Sequence, residues 1–216
     1  MSDKNVLAVG AHADDVEIGC GGTVALHVKK GDTVILLVIA ESSYTYYDGR
    51  VLRTREEVDT EEANAAKVLG AKEVINLGFE SKNVPYSAES VEAINEIIDR
   101  YEIDIIYTHW YHDTHQDHRR TTQSVLSAGR YVKNILMYEP EYPAGRSYSG
   151  FHSQYYVDIT TTFEIKMEAL KRHESQIKKY GDDFLEAVEA RARHRGYEIG
   201  NKYAECFEVL RLLGEI

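Results

Sequence analysis

Two short polar clusters in this 216-residue chain combine side chains that bind metals with side chains that move protons. The first, AHADD at residues 11–15, holds one imidazole and two adjacent carboxylates. The second, residues 109–118, contains four of the chain's nine histidines. Two imidazoles and one carboxylate form the ligand set of many catalytic zinc sites, which keep a fourth position for water. The two clusters together therefore predict a metal site of the catalytic kind.

The expected metal ligands are His12, Asp15 and His118. His12 and Asp15 are three residues apart, so a tight turn can direct both side chains at one ion. The first cluster alone is equally consistent with a polar turn in which Asp14 or Asp15 caps the following helix. The second cluster is harder to explain as solvated loop histidines, because four of them fall within ten residues.

The other polar residues of the clusters have expected roles around the ion. Asp14 is a spare carboxylate that would act as the base for the attacking water. We expect His115 near the ion without ligating it, and Asp117 to hydrogen-bond a neighbouring imidazole and set its tautomer. His109 and His112 are expected to support the loop.

Both clusters follow predicted strands, as a ligand site in an open α/β sheet requires. Short apolar runs alternate with amphipathic stretches, which is typical of a doubly wound sheet. We predict a Rossmann-like α/β fold with a mostly parallel sheet in the order 3-2-1-4-5, flanked by helices. In that order the first and fourth strands are neighbours, so both clusters would face one crevice. The predicted strands are residues 6–10, 33–40, 73–77, 104–108 and 135–139, and the predicted helices are residues 19–30, 53–69, 88–100 and 117–131.

The pattern changes after residue 140. Prolines and glycines predict a long loop, and residues 155–159 and 206–210 predict two further strands. Helices are expected from a cap at residues 160–162 to about residue 173, and over residues 182–195. We therefore expect one domain over residues 1–216, with a core at 1–140 and a C-terminal α+β elaboration at 141–216.

Composition excludes several classes of partner. The chain has 25 Lys and Arg against 36 Asp and Glu, a net charge of −11, which argues against nucleic acid and anionic membranes. Two distant cysteines give no disulfide framework, and the longest apolar run, residues 34–40, is too short for a membrane helix. We expect a cytoplasmic protein. The missing G-x-G-x-x-G fingerprint also speaks against a dinucleotide site.

Three segments carry a family resemblance. AHADD resembles the first signature of the LmbE-like (PIG-L) family of zinc-dependent N-deacetylases, and HQDH at residues 115–118 resembles its second. Residues 190–207 (ARARHRGYEIGNKYAECF) and 156–176 are similar to its C-terminal regions. Ala13 and Gln116 replace prolines that are more frequent in the two signatures. Neither position supplies a side chain to the chemistry.

The resemblance implies one Zn²⁺ per chain, held by His12, Asp15 and His118. It implies that Asp14 is the general base, and that His115 is the electrostatic partner or proton donor, oriented by Asp117. The implied reaction is hydrolysis of an N-acetyl group on an amino sugar, such as an N-acetylglucosamine-type sugar, glycoside or nucleotide sugar, with release of acetate. Many relatives are homo-oligomers, and we expect the same here.

Substrate contacts are expected from less specific signals. The family often places an arginine on the helix after the second strand, where Arg53 and Arg55 both stand; we take Arg55 as the candidate. Arg146 and Tyr142 lie in the loop after the fifth strand, and His194 lies in the family-like C-terminal region. A solvated role for Arg146, and an interface or packing role for Tyr142 and His194, remain open.

Three other functions compete with the deacetylase. An amidase acting on a larger acyl group or a thiol-conjugate amide would use the same site with a deeper acyl pocket. A nucleotide-binding protein or dehydrogenase lacks its glycine fingerprint here. A zinc protein without activity would normally have a closed site with four protein ligands, and the spare Asp14 argues against it.

Overall fold

The computed structural model describes residues 3–141 and 145–214, which form nine strands and seven helices. Among these residues, no helix combines the length and the apolar composition that crossing a membrane requires. The strands are β1 (Asn5–Gly10), β2 (Thr33–Ala40), β3 (Tyr44–Thr45), β4 (Val51–Arg53), β5 (Glu73–Phe79), β6 (Ile105–Thr108), β7 (Asn134–Tyr138), β8 (Tyr155–Asp158) and β9 (Ala204–Arg211). The helices are α1 (Asp15–Lys29), α2 (Arg55–Leu69), α3 (Ala88–Arg100), α4 (Gln116–Ala128), α5 (Phe163–Leu170), α6 (Glu174–Tyr180) and α7 (Asp182–Glu198).

Seven strands form the main sheet, in the order β5-β2-β1-β6-β7-β9-β8. The first five are parallel, and they stand in the predicted 3-2-1-4-5 order. The predicted α/β fold with a mostly parallel sheet is therefore confirmed. The sheet differs in detail because β9 and β8 extend it antiparallel beyond β7. Strands β1 and β6 are neighbours, with Val6 opposite Ile105, so their carboxyl ends lie side by side.

Alternate residues of the central strands pack into two separate apolar layers. Leu7 and Val9 face a layer that includes Ile94 of α3 and Val125 of α4. Val6 and Ala8 face the opposite layer, which includes Val24 of α1 and Ala169 of α5. Helices thus cover both faces, and this explains why the parallel strands are continuous apolar runs.

Glycines inside α1 explain one boundary that sequence patterns misplace. The predicted helix begins at Gly19, whereas α1 begins at Asp15. A Cβ on Gly19 would lie 2.3 Å from the ring of Tyr138, and one on Gly22 would lie 2.7 Å from Ile159. These glycines permit close packing within the helix and do not mark its start.

Two other segments differ from the expectations. Residues 41–52, expected as a loop, include β3 and the start of β4, which pair as an antiparallel ribbon. The helix expected to run to about residue 173 ends at Leu170, and α6 follows as a separate short helix. Lys179 and Tyr180 of α6 line the cavity described next, so this extra helix contributes to the site.

Candidate active site

A cavity of about 160 Å³ lies beyond the carboxyl ends of β1 and β6. Its lining includes five of the predicted residues: His12, Asp14, Asp15, His115 and His118. The turn after β1 supplies the first three. The other two come from the start of α4, where His115 is the N-cap residue and His118 lies in the first turn. Because β1 and β6 are paired in parallel, residues about 100 positions apart meet at one edge of the sheet.

The predicted ligand Asp15 lies near both predicted imidazoles, and it faces each of them through a different carboxylate oxygen. His12 Nδ1 lies 3.5 Å from Asp15 Oδ2, and His118 Nε2 lies 3.6 Å from Asp15 Oδ1. Ligands of a tetrahedral ion with bonds of about 2.0–2.1 Å are about 3.3 Å apart. The other nitrogen of each imidazole bonds a carboxylate, His12 Nε2 to Asp117 at 2.9 Å and His118 Nδ1 to Asp113 at 2.8 Å. Carboxylate–histidine pairs of this kind orient metal-binding imidazoles.

Two overlapping groups of side chains in the described residues offer metal ligands. One is His12, His115 and His118, and the other is Asp15, His109 and His118. Each group contains two of the three predicted ligands and neither contains all three, so the predicted set stays a prediction. His109 Nε2 accepts a hydrogen bond from the Ala11 N–H at 2.9 Å and also lies 3.1 Å from Asp15 Oδ2, so this ring is held against the turn after β1. The buried His109 ring also stacks on His118, with centroids 3.9 Å apart. These contacts are those of a supporting ring, and the loop-supporting role of His109 stays a prediction.

The electrostatics of the cluster suit a cation. Burial alone would lower the pKa of His12, but hydrogen bonds with the carboxylates of Asp117 and Asp15 raise it to about 10. Burial and the neighbouring His109 lower the pKa of His118 to about 4, which leaves its lone pair free. A site that stabilises positive charge at His12 and keeps His118 neutral has the charge and the donor atoms that a divalent metal requires. The residues present therefore fit a metal ion.

Asp14 has an unusual backbone. Its φ of 122° and ψ of −23° lie in a region that L-residues rarely adopt, and its side chain makes no cap hydrogen bond to α1. The helix-cap interpretation of Asp14 is therefore not supported. Burial and the adjacent Asp15 carboxylate raise the pKa of Asp14 to about 6. The strained turn directs the Asp14 carboxylate into the cavity, and this carboxylate does not cap helix α1.

Asp117 bonds a neighbouring imidazole, as the residues predict, but that imidazole is His12 and not the His115 that the family resemblance implies. Its carboxylate bonds His12 and accepts from the Lys82 N–H at 2.7 Å, and it does not bond His115. Only the backbone N–H of Asp117 reaches His115, at 3.3 Å from Nδ1. The predicted pairing of Asp117 with His115 is wrong at the level of the side chain, because α4 turns that carboxylate back toward β1.

Asp113 bonds two of the site histidines, and the sequence motifs did not point to it. It is fully buried, and its two carboxylate oxygens accept from the His118 ring and from the His115 N–H at 2.7 Å. The sequence feature that could have indicated Asp113 is its position, five residues before His118 in the same histidine-rich loop. We therefore assign to Asp113 the orientation of His118.

We expect Asp113→Asn to weaken metal binding by about 10- to 100-fold. Asparagine offers one acceptor oxygen and one NH₂ group, so it cannot accept from both His118 and His115. Competition with a chromophoric chelator measures the metal affinity. Asp104→Asn is the matched control, because Asp104 accepts from the Asn5 N–H at 3.0 Å at the other end of the sheet. Unchanged metal affinity in Asp113→Asn would contradict the assignment.

The structure places a different arginine in the cavity from the predicted one. Arg53, not Arg55, lines the cavity: it is buried, donates to the Ala13 carbonyl at 3.1 Å and pairs with Glu61 at 2.8 Å. Arg55 is the first residue of α2. Its side chain pairs with Asp59 one turn further along the surface of this helix and does not line the cavity. The expectation for Arg55 is therefore corrected.

The remaining three predicted contacts give no support for a role in the cavity. Arg146 is exposed and is not among the lining residues. His194 is exposed and lies 3.8 Å from Glu198 on α7. Tyr142 lies outside the described residues. The lining is completed by Ile18, Ser42, Ser43, Tyr44, Ser81, Lys82, Glu141, Gln176, Lys179 and Tyr180.

Fold and site together define an α/β protein with a histidine–carboxylate centre at the carboxyl edge of its parallel sheet. Residues 7–129 match the family model described as PIG-L: GlcNAc-PI de-N-acetylase. The chain is also 32% identical over 179 residues to a protein of Escherichia coli strain K12 described as "Uncharacterized deacetylase YaiS", covering 80% of this chain and 91% of that protein. The chain belongs to the PIG-L family, as its motifs indicate.

Other relatives agree with this family. The diacetylchitobiose deacetylase of Thermococcus kodakarensis is 30% identical, over 94% of this chain and 81% of that protein. The structure of the N,N'-diacetylchitobiose deacetylase of Pyrococcus horikoshii superimposes with a TM-score of 0.78 at 25% identity, covering 96% and 84% of the two chains. GalB of Pseudomonas putida, a 4-carboxy-2-hydroxymuconate hydratase, has a TM-score of 0.81 at 18% identity over 99% of both chains, and shares the fold alone. The reaction must therefore be argued from the site.

Proposed function

We propose that this protein is a zinc-dependent N-deacetylase that hydrolyses the N-acetyl group of an N-acetylglucosamine-type sugar and releases acetate. The observation that carries the proposal is the cavity in which the Asp15 carboxylate lies 3.5 Å from His12 Nδ1 and 3.6 Å from His118 Nε2, with the Asp14 carboxylate in the same lining. A purely structural zinc site is normally closed by four protein ligands and needs no such carboxylate. The family and the named activities of its relatives support the same reaction class.

His12 Nδ1, Asp15 and His118 Nε2 would hold the ion. When bound, zinc lowers the pKa of water and polarises a carbonyl oxygen, which is the activation that amide hydrolysis needs. Asp14 accepts the proton of the water as its oxygen attacks the acetyl carbon. Asp14 then returns that proton to the nitrogen as the C–N bond breaks, which leaves a free amine and acetic acid; the acid gives its remaining proton to the amine or to solvent and leaves as acetate.

His115 is placed to stabilise the oxygen that becomes negative during attack. Its Nδ1 accepts from the Asp117 N–H, so a neutral ring carries its proton on Nε2. Burial and the charge on His12 lower the pKa of His115 and favour this neutral form. We therefore assign His115 as a hydrogen-bond donor to the oxyanion, a contribution that typically changes rates by about 10²–10³-fold.

The mouth of the cavity suggests a second substrate candidate, an amino sugar that carries a phosphate or carboxylate. Lys82 and Lys179 place their ammonium groups 4.1 and 5.1 Å from the centre of the Tyr44 ring. Three segments of the chain thus bring two positive charges and an aromatic face to the cavity, in a protein of net charge −11. An anionic substituent on the sugar would meet these charges.

Acetate release and metal analysis test the proposal together. We expect about one zinc per chain, and acetate release from at least one of N-acetylglucosamine, its 6-phosphate and N,N'-diacetylchitobiose. Preference for the 6-phosphate that disappears in Lys82→Met and Lys179→Met would identify the anionic substrate. Faster cleavage of N-butyrylglucosamine than of N-acetylglucosamine would instead indicate an amidase for larger acyl groups. No metal and no acetate from any sugar would overturn the proposal.

Cytoplasmic location and homo-oligomerisation stay predictions from the sequence.

A further inference from the structure

Helix α1 is broken one turn after the residues that it brings to the site. Cys20 has φ −147° and ψ 20°, which are not helical, so the helix consists of two segments joined at a kink. A break in a helix leaves carbonyl groups before it and N–H groups after it without their usual partners. Such groups need other partners when they are buried, as they are here.

One buried ion pair satisfies the groups on both sides of this break. The Glu205 carboxylate accepts from the N–H groups of Gly22 at 2.9 Å and Thr23 at 2.7 Å, which begin the second segment. The Lys166 ammonium donates to the Ile18 carbonyl at 2.8 Å, at the end of the first segment. Lys166 and Glu205 also bond each other at 2.6 Å. Glu205 thus acts as an internal N-cap and Lys166 as an internal C-cap.

Stability alone does not require this arrangement. Lys166 and Glu205 are 2% and 4% exposed, and taking two charges out of water costs several kcal/mol for each ion. Well-packed apolar side chains in place of a buried ion pair are often neutral or stabilising. A buried pair that is kept in spite of this cost is best explained by the geometry it fixes.

The segment before the break carries the catalytic carboxylates. Asp15 begins α1, and the Ile18 carbonyl held by Lys166 lies three residues further along. Gly19, next to that carbonyl, packs against the ring of Tyr138, whose hydroxyl donates to the Val9 carbonyl at 2.9 Å. The first segment is therefore fixed at its carboxyl end by Lys166 and against the sheet by Tyr138.

We propose that Lys166 and Glu205 are positioning residues for the active site: by capping both sides of the break in α1, they set the direction of its first turn and so place Asp14 and Asp15. The effect on metal binding follows from the site geometry alone. The effect on turnover rests on the proposed deacetylase function.

Three variants separate positioning from simple stabilisation. Lys166→Met and Glu205→Gln each leave one buried charge without its partner, so we expect clearly lower melting temperatures. The double variant Lys166→Met/Glu205→Gln removes both charges and should recover much of the melting temperature. Its caps remain weakened, however, so we expect its metal affinity and kcat to stay about 10- to 100-fold below wild type, with KM little changed.

Co²⁺ is the probe for site geometry, because its visible absorption depends on coordination. We expect the Co²⁺ spectrum of the double variant to differ from that of wild type, and its affinity to be lower in competition with a chelator. Asp32→Asn is the matched control: Asp32 pairs with His27 at 2.6 Å at the far end of α1. This control should lower the melting temperature while leaving the Co²⁺ spectrum and affinity unchanged.

Wild-type Co²⁺ affinity and spectrum in a folded double variant would overturn the proposal, because the pair would then only stabilise the fold. If the single variants do not fold, the double variant still decides the question. Failure of wild type to release acetate from any N-acetyl sugar would reject the deacetylase function. The Co²⁺ measurements would test the positioning role independently of that result.

Discussion

Asp14→Asn is expected to lower kcat by about 10²- to 10⁴-fold while the protein keeps its metal. Asparagine retains the size of the side chain and tolerates positive φ better than most residues, so the turn at φ 122° should persist. The amide cannot accept the proton of the attacking water, which is the role proposed for this carboxylate. Acetate release together with metal content per chain measures both parts of the expectation.

Asp14→Gly provides a second test at the same position. Glycine adopts positive φ without strain, and strain in such regions costs about 1–3 kcal/mol. We therefore expect Asp14→Gly to unfold at the same or a higher temperature than wild type, although its turnover is lost. A variant at Asp14 that loses the metal along with activity would show that this carboxylate is a ligand and not the base.

His118→Ala is expected to lose the metal and, with it, all measurable turnover. His118 Nε2 is one of the three proposed ligand atoms. The substitution also removes the partner of one oxygen of the buried Asp113 carboxylate, while the other oxygen still accepts from the His115 N–H. Loss of an outer partner alone typically costs 10–100-fold in affinity, and loss of a ligand should exceed about 100-fold. Metal content after dialysis against a dilute chelator measures the effect.

The same loop supplies a control for this experiment. His112 is exposed and contacts the Trp110 ring, outside both groups of possible metal ligands. We expect His112→Ala to keep its metal and most of its activity. Retention of stoichiometric zinc by His118→Ala would remove His118 from the ligand set and favour His12, Asp15 and another donor.

The proposed metal ligands could be chosen from the sequence because each lies in a short motif that follows a strand. The chain order of the strands and the usual order of doubly wound sheets were enough to bring His12 and Asp15 near His118. The α/β fold followed from the same alternation of apolar runs and amphipathic stretches. Local pattern and global topology agree in this half of the chain.

Side-chain direction was not predictable in the same way. Arg53 and Arg55 are two residues apart, and only the end of β4 at Arg53 decides which one is buried beneath the cavity. Asp113 and Asp117 flank the same histidines, and their partners depend on how α4 begins. Lys166 and Glu205 are ordinary charged residues in the sequence, and their burial follows from a break in a helix far away along the chain.

Strand β9, the last strand in chain order, has a consequence for the synthesis of the protein. All the proposed metal ligands lie within the first 118 residues, yet Glu205 bonds Gly22 across 183 positions. A nascent chain therefore exposes every ligand long before β9 leaves the ribosome and caps α1. Contacts at such separation form late, since the intervening chain must first be ordered. On the proposed positioning role, the native geometry of the metal site is complete only after β9 has folded, and chains truncated before residue 204 would contain every proposed ligand without the cap that Glu205 provides.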